Sequence, residues 1–457
     1  MSHSSLAHDI DIDAVITGDI RLDAASSLRL YQEVPLHELG KWAAQRCQFI
    51  HGEQYRTYVI DRNINYTNIC SAHCTFCAFK RNLGDTDAYL LNTQALHEKV
   101  RQLVNIGGTQ ILLQGGMHPE LPIEFYEQML RDLKSEFPSI HIHGFSPPEI
   151  VEFVAVFKLG GFSCTLPNRS HELSHGVWQA KLEAILTRLC AAGLDSIPGG
   201  GGEIFVDRVR RRIGIGKATA DQWLKVMSCA HQIGMFTSAT MMFGHIESVA
   251  DRIDHMLRVR VAQDRAIEAQ YPGRYLSFIS WPFQPDHTPL GKLASWDPES
   301  GEPFAGDDPG HPQAGKQLRL AGATDYLRTQ ALSRLVLDNI QSITSSWVTV
   351  GPKIGQLGLF YGANDMGSVM MEENVVSAAG TTYCLNEPVL CHLIREAGFI
   401  PAQRDNQYRH LHVHEGQQSP DHQVEDWSTH RRTNLHRQRP GDEGGQVPLT
   451  VVGDRVS

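Results

Sequence analysis

Residues 68–81 read NICSAHCTFCAFKR and place three of the chain's nine cysteines, Cys70, Cys74 and Cys77, within eight positions. Three thiols at C-x3-C-x2-C spacing suit metal ligation, and two kinds of centre compete for them. A zinc site needs a fourth ligand, which here would be His73; its side chain, one residue before Cys74, would have to fold back inside a very tight loop, and no second cysteine pair stands nearby. An iron–sulfur cluster takes cysteine-only ligation at close spacing. With three protein ligands such a cubane keeps one iron open to a small molecule. Three buried thiols with no ligand form the third reading, which the small or polar Ser71, Ala72, His73 and Thr75 argue against.

The elements that would carry this loop repeat along the chain. From Tyr58 onward short apolar runs alternate with helix-length amphipathic stretches, the pattern of βα units. Strands are predicted at 57–65, 109–116, 140–146, 194–200, 235–244, 276–283, 345–351 and 374–380. Between the first two, Leu96, Val100 and Leu103 recur at helical spacing and Gly107–Gly108 supply a stop. Eight alternations predict an α/β fold of the TIM type, a (β/α)8 barrel over 57–408, preceded by a helical extension (1–56) and followed by a polar tail (409–457). Turn-rich stretches at 160–176 and 295–317 read as surface excursions. Chemistry in such barrels gathers at the carboxyl ends of strands, and the unusual clusters of this sequence sit there: the cysteines, QGGMHPE, FSPPE, IPGGGGE, FGHIE and WPFQPDHT.

Composition narrows the function classes. Hydrophobic residues at 41% and charged residues at 20% are those of a globular domain. A formal net charge of -10 argues against non-specific nucleic-acid binding, and RVRRR at 208–212 reads as a solvated helix end. No run approaches the ~20 apolar residues of a membrane span, and the N-terminus carries acids where a signal peptide carries positive charge, so a cytoplasmic location is expected. The remaining cysteines, Cys47, Cys164, Cys190, Cys229, Cys384 and Cys391, read as small core hydrophobes. The tail's histidines read first as part of a solvated segment, with metal binding as the alternative.

Several strand ends allow two uses. Gly115 and Gly116 let main chain come close to a ligand. Ser146 and Glu149 could offer a hydroxyl and a carboxylate to a cofactor, could form a helix capping box with Pro147 at the first helical position, or could do both. The glycine run of IPGGGGE lacks the Lys-Ser/Thr of a phosphate loop, so close approach of backbone to a bulky organic substrate explains it better. His118, His245 and Glu203 are candidate bases, and Lys80, Arg81 and Arg62 are cations near the cysteine loop in sequence.

The cysteine loop, with Phe76 before its last cysteine and the Gly115–Gly116 turn following the second strand, resembles the radical S-adenosylmethionine (SAM) superfamily. NINYTNICSAHCTFCAFKR, AGLDSIPGGGGEI, WPFQPDHTPLG and SSWVTVGPKIGQLGLFYGANDMG carry the likeness further, to the family of cyclic dehypoxanthinyl futalosine synthases of menaquinone biosynthesis. Aminofutalosine synthase and the F0 synthase subunit are near relatives and the alternatives. The resemblance implies a [4Fe–4S] cluster on Cys70, Cys74 and Cys77, and SAM on its open iron with Phe76, Gly115, Gly116, Ser146 and Glu149 around it. It further implies an electron donor such as a flavodoxin or ferredoxin. The reaction it implies removes the ribose C4′ hydrogen of dehypoxanthine futalosine and closes a ring onto the substrate's benzoate. Met117 departs from the glutamate often found after the two glycines, and the two excursions and the polar tail also depart from the pattern.

Overall fold

The computed structural model of the chain describes residues 10–52, 54–162, 173–295 and 317–415. Its strands, in chain order, are β1 Tyr55–Val59, β2 Asp61–Asn65, β3 His73–Cys74, β4 Gln110–Gln114, β5 His141–Gly144, β6 Gly214–Ile215, β7 Thr237–Phe243, β8 Tyr275–Pro282, β9 Ser342–Thr344, β10 Asp365–Ser368, β11 Ile400–Arg404 and β12 His410–Val413.

The expected first strand bends at Ile60 into two. β1 pairs in parallel with β10 and β11, while β2 pairs in parallel with β4, so one continuous stretch serves two sheets. β5 extends the second sheet, and β10-β9-β8-β7 extends the first. The gap between β5 and β7 is bridged by residues 196–197: His143 pairs with Ser196 and Ile197 with Thr237. The ring β1/β2, β4, β5, 196–197, β7, β8, β9, β10 therefore has eight members and closes as a barrel. Near-continuous burial along β1, β2 and β7 is what strands covered by helices on one face and a core on the other require. The helix Thr93–Asn105 buries Leu96, Val100 and Leu103 as its spacing predicts, capped by Asn92. In the extension, helices Ile12–Thr17, Ala24–Glu33 and Leu36–His51 pack on the barrel, the last through buried Leu39, Ala43 and Cys47.

The last two predicted strands are corrected. Residues 345–351 hold a short helix, Trp347–Val350, and the strand precedes it as β9. Within 374–380 lies the helix Val375–Ala378, and the strand precedes it as β10. β-branched content suggested strands in both, but Glu373 accepts the backbone N–H groups of Val375 and Val376 (2.6 and 2.9 Å) and so starts a helix there. The tail also begins later than 409: β12 pairs antiparallel with β11, and the loop between them bonds Asn406 Nδ2 to Gln110 Oε1 at 3.1 Å. The rest of the tail, most of both excursions, and Cys164 lie outside the described residues. Cys47, Cys229, Cys384 and Cys391 are buried as expected, whereas Cys190 is exposed.

Arg62 is a further correction. It is buried on the outer face of β2, where its Nε meets Glu372 at 2.7 Å, its Nη1 donates to Gln102, and Lys99 joins the same carboxylate at 2.7 Å. This triad ties β2 and the helix Thr93–Asn105 to the segment after β10, and none of its three members lines the cavity inside the barrel. Removing its single anion would strand two buried cations. Glu372→Ala is expected to cost about 3–5 kcal/mol of stability, read as a lower denaturant midpoint.

Candidate functional site

One cavity of about 460 Å³ runs inside the barrel, and its wall includes Cys70, Cys74, Cys77 and Phe76. The loop that presents these residues is fixed by its backbone. Cys70 N–H donates to Arg81 O (3.0 Å), Ser71 N–H to Met117 O (2.9 Å) and Thr75 N–H to Ile213 O (2.8 Å), while β3 pairs with β6. Arg81 Nη1 donates to the carbonyls of Ala78, Phe79 and Lys80, and its Nε to Asp87 at 2.5 Å. Arg81 is thus a brace for the loop and does not line the cavity; Lys80 does, and its Nζ donates to His73 Nδ1 at 2.8 Å. His73 itself is exposed, with its Nδ1 engaged there.

The donor set fits a cluster. Three thiols share one cavity wall and none is in a disulfide. Burial pushes the Cys74 thiol up to about 12, against the pull of Lys217, and raises Cys70 as well. Metal must therefore displace protons as it binds.

Gly115 and Gly116 also line the cavity, yet their need for glycine comes from the protein. A Cβ on Gly115 would stand 2.5 Å from the Tyr66 ring, and one on Gly116 only 2.0 Å from Ile69 O, beside Cys70. The turn is the floor on which the cysteine loop sits. The run 199–202 behaves likewise: a Cβ would meet Ala239 backbone, Gln114, Pro148 and Thr240 O in turn, at 2.2 to 2.8 Å. Substrate approach is therefore not what first demands these glycines.

Ser146 and Glu149 both line the cavity and also form the capping box of the helix that follows. Glu149 accepts Ser146 N–H (2.8 Å) and Oγ–H (2.7 Å) on one oxygen, and Tyr66 O–H (2.8 Å) and Gly115 N–H (3.1 Å) on the other. Four donors occupy both oxygens, so the carboxylate holds the glycine turn in place and has little capacity left for a ligand. Burial nonetheless pushes it up from 4.5 to about 7, against these hydrogen bonds. The folded protein then binds this proton more tightly than the unfolded chain. Relative to Glu149→Gln, wild-type stability is expected to fall as pH rises from about 4.5 to about 7, as paired denaturant titrations across that window would show.

The three expected bases separate. Glu203 lines the cavity with a positive φ of 36°, ion-paired to Lys217 (2.6 Å) and Arg210 (3.6 Å). His118 and His245 do not line it. His118 is buried with Nδ1 accepting Glu120 N–H; His245 is fully buried, its Nδ1 accepting Ile246 N–H and its Nε2 bonded to Met242 O. Lys217, which the sequence reading missed, lines the cavity with its Nζ 4.9 Å from the Phe76 ring centre. Toward the opposite end the wall turns polar, with Asp61, Gln110, His143, Arg404 and Tyr408.

Comparison with known proteins agrees with this geometry. Residues 64–259 match the family model described as the radical SAM superfamily, and 303–417 match that of the CofH/MqnC C-terminal region. The cyclic dehypoxanthine futalosine synthase of Halalkalibacterium halodurans is 38% identical over 89% of this chain and 96% of its own. The 5-amino-6-(D-ribitylamino)uracil–L-tyrosine 4-hydroxyphenyl transferase of Methanopyrus kandleri is 36% identical over 79% of this chain and 86% of its own. The crystal structure of methylornithine synthase superposes with a TM-score of 0.57 at 16% identity, covering 86% of this chain and 97% of that one, which supports the fold. No helix among the described residues is long and apolar enough to cross a membrane.

Proposed function

The chain belongs to the radical SAM family that contains the cyclic dehypoxanthine futalosine synthases, and from that premise we propose that it closes the spiro ring of cyclic dehypoxanthine futalosine in menaquinone biosynthesis. The observation that carries this reading is the three-thiol cavity wall in a chain that matches a cyclase along nearly its whole length.

Cys70, Cys74 and Cys77 would hold a [4Fe–4S] cluster, and the cavity beside Gly115, Gly116 and Phe76 would receive SAM. Together, when bound, these groups supply a primary carbon radical able to remove the ribose C4′ hydrogen. The protein's share is position and exclusion. Lys217, between Glu203 and the Phe76 face, is placed to meet a carboxylate of SAM. Lys80 remains a cation for the substrate's benzoate, now that Arg62 and Arg81 are spent elsewhere. Trp281, Val348, Met366 and Ile279 form apolar wall that keeps water from a reactive carbon centre. Holding the C4′ hydrogen near van der Waals contact with the radical is the main contribution, because an ill-placed radical attacks protein instead. An external electron donor of the flavodoxin or ferredoxin type and a cytoplasmic setting go with this reading.

Anaerobically reconstituted protein with reductant, SAM and dehypoxanthine futalosine is expected to give a product two hydrogens lighter, seen by mass spectrometry. No such product, together with hydroxyphenyl transfer from tyrosine, would replace this reading with that of the transferase relative.

A further inference from the structure

Ring closure leaves a proton on the ring carbon that the new C–C bond has made tetrahedral, and it must leave the cavity. The ionisable groups of the wall differ in their capacity to take it. Glu149 is saturated by four donors, Glu203 is held between two cations, and Glu373 accepts Asn63 Nδ2 and two helix N–H groups. Asp61 accepts from Gln110 Nε2 (2.9 Å) and from Ser368, and the Gln110 amide that links it onward to Asn406 is not a group that relays a proton as a hydroxyl or an imidazole does.

His143 is different. It projects from β5 into the cavity, and its Nδ1 lies 2.6 Å from Ser196 Oγ. The same oxygen lies 2.6 Å from Nε2 of His141, two residues back on the same face of the strand. His141 is half-buried, within reach of the Lys134–Asp195 ion pair (2.6 Å), which is itself partly exposed. The β5–Ser196 bridge that closes the barrel is what brings the two rings to one hydroxyl. Burial keeps His143 neutral, holding it down at about 3, with His141 and Arg404 adding to the effect. A neutral ring has a free lone pair, and one that resists keeping a second proton needs an outlet.

We propose that His143 is the general base of the cyclisation and that Ser196 and His141 carry its proton outward. This inference rests on the cyclase reading. In the step, the ring C–H bond breaks and an N–H bond forms at His143 Nε2. The proton on His143 Nδ1 moves to Ser196 Oγ, and the hydroxyl proton of Ser196 moves to His141 Nε2. The C–H electron pair stays on the ring, whose surplus electron passes to a one-electron acceptor, either the oxidised iron–sulfur cluster or an external carrier. His143 is the catalytic residue; Ser196 and His141 act through it.

The test compares the reconstituted wild type with His143→Gln, Ser196→Ala and Ser196→Thr, measuring 5′-deoxyadenosine and cyclised product separately. His143→Gln is expected to keep forming 5′-deoxyadenosine while product falls about 10²-fold or more. Ser196→Ala should show a smaller product loss and a larger solvent deuterium isotope effect, both reversed in Ser196→Thr. Product at the wild-type rate from His143→Gln would overturn the assignment, as would loss of 5′-deoxyadenosine in parallel with product in every variant. Nitrogen NMR of the resting, ligand-free protein gives an independent reading: the relay needs His143 protonated on Nδ1, and an Nε2–H tautomer would overturn it. If the wild type makes no cyclised product, the cyclase reading fails, and the tautomer still decides whether the relay exists.

Discussion

Alanine at Cys70, Cys74 or Cys77 is expected to remove the iron–sulfur cluster and abolish SAM cleavage while leaving the fold intact. The two halves of that result have separate causes. Two thiolates do not anchor a cubane that three are built to hold, so iron content and 5′-deoxyadenosine formation should fall to background in each variant. The loop, in contrast, is fixed by main-chain bonds from Cys70 to Arg81, Ser71 to Met117 and Thr75 to Ile213, by the β3–β6 pair and by the Arg81 brace, none of which uses sulfur. Circular dichroism and the melting temperature of the iron-free proteins should therefore match those of iron-free wild type. Cys190→Ala, at an exposed thiol outside the cavity, is the control and should keep full iron content. A melting transition that collapsed with any one of the three thiols would show that the loop depends on them for more than ligation.

Gly116→Ala is expected to be nearly as damaging, although no ligand is touched. The added methyl would stand 2.0 Å from Ile69 O, 2.6 Å from its carbonyl carbon and 3.0 Å from Cys70 Cβ. Backbone does not yield as a side-chain tip does, so the strain has to move residues 69–70 and with them one of the three thiols. Overpacking of this kind costs about 1–3 kcal/mol, and iron retention should fall with it. The opposite sign is expected at Gly176, which lies in the helix His175–Ala192 with nothing within 4 Å of a Cβ. Gly176→Ala should stabilise by about 0.5–1 kcal/mol. Thermal melts and iron assays on the two variants check both signs at once.

The parts of the site that lie close together in sequence were the legible ones. Three cysteines in eight residues announce a cluster because the ligands share one loop, and the alternation of strand and helix announces a barrel because every unit repeats the same pattern. What depends on strand pairing was harder to read. Arg62 looked like a ligand-facing cation because it precedes the loop, but Asp61, Asn63 and Asn65 line the cavity and the two-residue period of a strand puts Arg62 on the other face. The same period, applied to IHIHG, would have put His141 and His143 together on one face. Ser196, 53 residues further on, becomes their neighbour only through the bridge that closes the barrel, and no local pattern signals that. His118 and His245 sit at strand ends as candidate bases should, yet the turns that follow those strands keep both rings inside the protein wall. The Trp347–Val350 and Val375–Ala378 segments misled because side-chain propensity was outweighed by a capping carboxylate and by packing against Ser368 and Gly355.

Mössbauer spectroscopy of the anaerobic, iron-57-loaded protein, recorded before and after addition of SAM, tests the central claim most directly. A cubane with one iron distinct from the other three, and with that iron alone altered by SAM, is the predicted result. A cluster whose four irons are all held by protein and are indifferent to SAM, or a loop that takes up zinc in place of iron, would contradict it.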